Sequence, residues 1–282
     1  MSKKERTTTL VIAGLVCIVL VIGIILTNKG GPKAETVQEA MKDAVVHNEN
    51  KINFFGFEVN PSLVSGYVVT GVVLLFALIL RIFFIPKFKR IPGKFQMLIE
   101  AWVGFFDNLA KTNSPHLNSF LGAYIFTAGS YICLGTLFEL FGIQAVTTAG
   151  HSVALPAPHA DINGAIQMGV LSYFIILTGG IAANKLKGVG LTLKEFSLPI
   201  SMSFRLFGAL LSGMLVTELV YYYMTLSFVL PVIVGVLFTL LHALIQTYVL
   251  TMLTSVFYGE VSEVHEKKPK EKKKKAEAVA EA

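Results

Sequence analysis

Apolar residues cluster in long blocks along the chain. Six blocks have spanning length: Leu10–Leu26, Leu63–Leu80, Leu117–Phe138, Ile162–Ala183, Phe196–Thr217 and Phe228–Phe257. A hydrocarbon core needs about 20 apolar residues per helix, and each block meets or nears that length. These segments have to be helical, because an open strand leaves backbone N–H and C=O groups unpaired in lipid. Between Lys94 and Lys111 the pattern changes. Phe95, Leu98, Ile99, Trp102, Phe105, Phe106 and Leu109 recur at three and four, while Glu100, Asp107, Asn108 and Lys111 take other faces. That spacing predicts an amphipathic helix at the membrane interface, opened by Pro92-Gly93; burying it as a seventh span would place Glu100 and Asp107 in lipid. The expected fold class is an all-α integral membrane protein. It has about six transmembrane helices, one interfacial amphipathic helix and a long tilted C-terminal helical hairpin.

Composition agrees with this reading. Of 282 residues, 54% are hydrophobic and only 15% charged, against about 25% charged in a soluble domain. An ordinary soluble enzyme, a disordered chain and a secreted disulfide scaffold are excluded. Cys17 and Cys133 both sit in apolar runs, which argues against a disulfide framework or a cysteine zinc site. The formal charge of +6 does not indicate nucleic acid, because the basic residues flank the apolar blocks. Lys3, Lys4 and Arg6 precede the first block; Arg81, Lys87, Lys89, Arg90 and Lys94 follow the second; Lys185, Lys187 and Lys194 separate the fourth and fifth; and a lysine run closes the chain. Gly142–Asp161 contains no lysine or arginine. Six crossings with both termini inside satisfy these biases. The expected organisation is a membrane anchor or signal segment over 1–28, an external polar segment over 29–61, a membrane domain over 62–260 and a lysine-rich cytoplasmic tail over 261–282. A removed signal peptide would leave five spans; the long apolar core and the lack of an A-x-A site favour an uncleaved anchor.

Arg205 carries the chemistry. It lies inside the fifth block with no charged residue within nine positions on either side. An arginine at mid-span costs about 2.5–3.5 kcal/mol on insertion scales, so its presence points to function. Ser201, Arg205, Gly208 and Ser212 recur at three and four, a small-residue stripe that lets another helix approach closely. Glu139, Asp161 and Glu218 all fall near membrane boundaries, so the matching carboxylate belongs to another protein. Arginine keeps its proton. A carboxylic acid in lipid stays neutral, and a fixed cation favours its ionisation. Moving such an acid past Arg205 makes it release its proton or bound cation, which amounts to ion transfer.

The run Pro199-Ile-Ser-Met-Ser-Phe-Arg205-Leu-Phe-Gly208, followed one span later by Gln246-Thr-Tyr-Val-Leu-Thr-Met-Leu-Thr254, resembles subunit a of F-type ATP synthases. Ala160-Asp161-Ile162-Asn163 and Pro92-Gly93-Lys94 also match that family's pattern, and the resemblance covers roughly Pro92–Tyr258. It implies a non-catalytic stator in a cell inner (plasma) membrane, multi-pass with a cytoplasmic C-terminus. The implied partners are an oligomeric c-ring bearing carboxylates, peripheral-stalk b subunits, the rest of the complex and the lipid bilayer. Two half-channels would lead to the ring, and Arg205 would keep them from short-circuiting.

Reflection about the Tyr221–Pro231 turn puts Gln246 level with Arg205, where it can orient the guanidinium, and His242 level with Ala209. His242, Glu218, Asp161 and Asn163 are candidates for the outer half-channel; Ser201 and Glu195, with Ser197, are candidates for the inner one. An N-cap is the plainer role for Asp161. The chain departs from the family at Met214, where an acid nine positions after the arginine is usual, at Ala209, usually asparagine, and at Thr239. Glu218 and His242 would take over, displaced along their helices. His151, His159 and Asp161 match no common metal spacing. With no phosphate-binding glycine loop and no nucleophile–base pair, neither a cofactor nor ATP chemistry is expected. Two alternatives stay open on the residues alone: a secondary transporter whose arginine binds an anionic substrate, and a non-transporting membrane scaffold. The first would favour internal repeats with paired broken helices, which the chain lacks.

Overall fold

The computed structural model describes Ile18, Ile22 and residues 51–54, 56–148, 150, 152–222 and 230–263, without the side chains of Glu218, Tyr221 and Tyr222. The first expected span, apart from the helical and exposed Ile18 and Ile22, and the lysine-rich tail lie outside the described residues.

From residue 51 on, the described residues form two short hairpins and seven α-helices, in order: β1 (Ile52–Phe54), β2 (Phe57–Val59), α1 (Pro61–Ile79), α2 (Lys94–Asn113), α3 (Asn118–Phe138), β3 (Gln144–Val146), β4 (Ser152–Ala154), α4 (Ile162–Asn184), α5 (Leu186–Lys194), α6 (Ser197–Tyr222) and α7 (Leu230–Ser262). Among the described residues, five helical segments are long and apolar enough to cross a membrane: Pro61–Lys87, Asn118–Phe141, Ile162–Asn184, Ser197–Thr217 and Leu230–Ser262. They correspond to the second to sixth expected blocks. The protein is therefore a multi-pass membrane protein with an all-α core.

Asn60 starts α1 by accepting from the Ser62 N–H at 3.1 Å, and Pro61 needs no intrahelical partner at this first position. The helix runs past the expected limit at Leu80. It widens into a π turn over Leu80–Phe84, then tightens through Ile85–Lys87. Pro86 explains the change: it has no N–H and its ring crowds the carbonyl four residues earlier. Arg81 thus sits within the helical segment rather than after it.

β1 pairs with β2 and β3 with β4, both antiparallel. The hairpins join where the Thr148 N–H donates to the Lys51 carbonyl at 2.9 Å. Ile52, Val69, Phe138 and Leu155 form a small core beneath them. This hairpin end gathers the start of α1, the end of α3 and the start of α4. At the far end, Asn184 closes α4 onto α7 by donating to the carbonyls of Val261 and Glu263 at 3.0 and 2.9 Å.

α2 is amphipathic, as its spacing predicted, and its apolar side has two destinations. Phe106 and Ala110 are fully buried against α3 and α7, and the Trp102 indole donates to Ser130 Oγ at 2.9 Å. Phe95, Leu98 and Phe105 stay exposed, positioned to meet lipid. α5 is folded back tightly on α4. At Gly188 a Cβ would collide with the backbone of Gly180, so only a residue without a side chain fits that crossing.

The main core lies between α2, α3, α4, α6 and α7, with Leu121, Ile125, Ile132, Ile176, Met202 and Leu206 almost wholly enclosed. Hydroxyls and amides hold the far half of α7 in place. Ser255 Oγ donates to the Leu109 carbonyl at 3.1 Å, Asn113 donates to Ser255 Oγ at 3.1 Å, and Ser114 and Ser262 share a bond of 3.3 Å.

Candidate functional site

α6 divides cleanly into two faces. Leu198, Met202, Ser203, Leu206, Leu210 and Gly213 point into the protein and are buried. Gly169 of α4 lets that face come close, since a Cβ there would strike Ser203 and the Pro199 carbonyl. The stripe of Ser201, Arg205, Gly208 and Ser212 points the other way, and all four residues are exposed. A Cβ on Gly208 would meet nothing within 4 Å. Ile200 and Phe204 flank the stripe at 50% and 62% exposure. Among the described residues, Arg205 has neither a hydrogen bond nor an ion pair.

α7 lies beside α6 in the hairpin that the sequence predicted. Phe238 faces Gly213, with its Cβ 3.9 Å from where a Gly213 Cβ would stand. That pair has the same midpoint as Arg205 and Gln246, so the two helices share the expected register. Gln246 is 5% exposed, and its amide oxygen finds no hydrogen-bond partner among the described residues. Arg205 and Gln246 are brought to one level without a hydrogen bond between them.

The His242 ring packs against Gly213, one turn nearer the hairpin end than the expected Ala209. Helical side chains lean toward their own N-terminus, which for α7 is the hairpin end. A cavity of about 230 Å³ opens beside the ring, lined by Leu210, Met214, Thr217, Phe238, Thr239 and His242. Glu139, in the turn Glu139–Phe141 that ends α3, reaches the same cavity. The sequence reading placed Glu139 only at a membrane boundary. The side chain of Glu218 lies outside the described residues.

Asp161 and Asn163 are elsewhere. They line a separate groove of about 500 Å³ between α1, α3 and α4, with Tyr67, Tyr131, His159 and Gln167. The structure therefore groups Asp161 with Asn163 and His242 with Glu139, in two cavities. Asp161 holds the N-cap position of α4 without making the side-chain capping bond. Its carboxylate accepts instead from Asn163 Nδ2 at 3.1 Å. His159 is 3% exposed and packs edge-to-face on Tyr131 with centroids 5.4 Å apart. Burial pushes its imidazole down to about 4, since a charged ring would lose its hydration there. His151 lies outside the described residues, among which no group of three His, Cys, Asp or Glu could hold a metal ion.

Glu195, at the end of α5, is half-exposed, while Ser197 and Ser201 are exposed at the start of α6. These three lie on the side of Arg205 away from the hairpin end. Polar groups thus stand on both sides of the arginine along α6 and its neighbours.

The sequence model of the ATP synthase A chain family matches residues 66–259. A relative named ATP synthase subunit a, from Cereibacter sphaeroides (strain ATCC 17025 / ATH 2.4.3), is 25% identical over 188 residues, covering 62% of this chain and 72% of the relative. The matched stretch contains the Arg205 stripe, every described residue lining the α6–α7 cavity and most of those lining the α4 groove. The chain belongs to the ATP synthase A chain family and is a non-catalytic, ion-translocating stator subunit of an F-type ATP synthase.

Proposed function

We propose that Arg205 is the fixed charge past which carboxylates of an oligomeric c-ring move, and that the exposed face of α6 is the surface turned toward that ring. The observation that carries this reading is an exposed guanidinium on a small-residue stripe, with no counter-charge among the described residues. Such a face leaves a charge at membrane depth unsatisfied until a partner supplies an acid. A passing carboxylic acid ionises beside Arg205 and gives up its ion; once past, it is neutralised again by uptake of another. Release and uptake occur on opposite sides of the arginine, so flow requires the ring to move.

In this reading the hairpin end faces outward and the C-terminus is cytoplasmic, in the cell inner (plasma) membrane, with peripheral-stalk b subunits among the partners. The basic clusters at the far end support that orientation. The outer half-channel uses the α6–α7 cavity with His242 and Glu218, and Asp161 and Asn163 mark its outer approach. Glu195 and Ser201 serve the inner half-channel, and Gln246 orients Arg205 from the level it shares.

Arg205→Ala tests the proposal. The complex should assemble, ATP synthesis driven by an ion gradient should vanish, and passive ion leak should rise, measured in membrane vesicles. Coupled activity at the level of the unsubstituted protein would refute it.

A further inference from the structure

The α6–α7 cavity contains an acid that the arginine motif does not announce. Among its described lining residues Glu139 and His242 are the ionisable ones. Glu139 sits on the exposed lip, at the end of α3, and His242 is half-buried further in. The inner end of the cavity is formed by Leu210, five positions after Arg205 and so about 7.5 Å from it along the helix axis. Met214 lines the same space, at the position where the family resemblance leads one to expect an acid.

We infer that Glu139 supplies this missing carboxylate, from α3 instead of α6, and that Glu139 and His242 are successive stations for the translocated ion on the hairpin side of Arg205. The inference rests on the function proposed above and adds to it a residue on a third helix. A carboxylate at the lip concentrates cations at the mouth of the cavity when it is ionised. His242 then offers a polar contact between that mouth and the level of Arg205. Thr217 and Thr239 line the same space and provide hydroxyls along the way. Both ends of the route are fixed by packing. The core of Ile52, Val69, Phe138 and Leu155 anchors the end of α3, and the Gly213 contact seats the His242 ring.

The test uses the whole complex in inverted membrane vesicles, with ATP-driven ion uptake measured per ATP hydrolysed. Glu139→Gln should leave assembly intact and lower coupled uptake by about a hundredfold or more, the low end of what a positioned proton-transferring group contributes. Glu139→Asp should retain most of it. Adding Met214→Glu to Glu139→Gln should restore uptake, because the charge returns to the same cavity. A second measurement separates an ion station from a structural prop. In Glu139→Gln, the ion concentration giving half-maximal ATP synthesis from the hairpin side should rise. Uptake unchanged in Glu139→Gln would overturn the inference, as would no recovery in the double variant. The same holds if Glu218→Gln abolishes uptake while Glu139→Gln does not. Arg205→Ala, run in parallel, identifies which statement has failed: if that variant also stays coupled, the function proposed above fails, whereas an uncoupled Arg205→Ala beside a coupled Glu139→Gln removes only the role of Glu139.

Discussion

Acidification should weaken the hairpin end of the protein through His159. Its imidazole is driven from the ordinary 6.5 to about 4 by burial, and Nδ1 has no hydrogen-bond partner among the described residues to offset a charge. In the unfolded chain this histidine takes up a proton as the pH falls through about 6.5, whereas in the folded protein it does so only near 4. The unfolded state therefore binds more protons throughout that window, and stability falls as pH falls across it. At about 1.36 kcal/mol per pH unit the total loss is about 3 kcal/mol, complete below pH ~4. Above pH 6.5 the contribution is fully present. The assay is detergent denaturation of the purified chain at pH 7.5, 6, 5 and 4, followed by fluorescence of Trp102, the one tryptophan in the sequence. His159→Phe provides the comparison, because it keeps an aromatic ring against Tyr131 and cannot take up a proton. Carboxylates elsewhere titrate in both proteins and cancel in the difference. Equal pH slopes in the two proteins would refute the argument that buried, neutral His159 governs this window.

Cysteines placed at Val153 and Lys272, in a background lacking Cys17 and Cys133, should react with impermeant reagents from opposite faces of the membrane; labelling from one face would overturn the topology. Two glycines of α5 should respond with opposite signs. Gly188→Ala should destabilise by about 1–3 kcal/mol, because the new methyl group meets the Gly180 backbone. Gly190→Ala has open space around it and should stabilise by roughly 0.5–1 kcal/mol through helix propensity. Thermal denaturation of the two variants side by side measures both.

Much of the fold could be read from where the charges are missing. Hydropathy reports which segments partition into lipid, so the second to sixth spans were visible as blocks; Pro86 reshapes the end of α1, and α6 and α7 run on to Tyr222 and Ser262, beyond the expected limits. The Arg205 stripe was legible for a related reason. Helical periodicity alone assigns Ser201, Arg205, Gly208 and Ser212 to one face, and small size marks that face as open. The register of α6 against α7 followed from simple reflection, because antiparallel neighbours place residues at equal sequence distance from the turn at equal depth. Other features depend on neighbours far away in sequence. Glu139 reaches the cavity of α6 and α7 through the packing of the end of α3, which no local pattern encodes. His242 was placed one turn off, since depth was reckoned at Cα while the ring leans along its helix. The separation of Asp161 from His242 into two cavities reflects how α1 and α4 pack, and uniformly apolar helices give no sign of which neighbour they choose. The strands over 52–59 and 144–154 were missed because each is three residues long and depends on the other hairpin and on Phe138 for its stability.

α7 is supported unevenly along its length. From Ala243 to Ser262 a continuous row of residues is buried, among them Thr247, Thr251, Thr254 and Ser255, whereas Val232, Leu237, Leu241 and Leu244 on the other part and side lie open. Mechanically, this is a beam rooted at one end, and the root begins at about the level of Gln246 and Arg205. A body sliding across the α6 face applies its sideways load there, where the lever arm to the root is near zero. Deflection under that load stays small, and the reaction passes into α2, α3 and α4 through short polar bonds. Before Ala243, Pro231 is the buried residue of α7 among those described. The arginine thus stands at the level where the buried row of α7 begins, and the cavity beside His242 lies where α7 is more open.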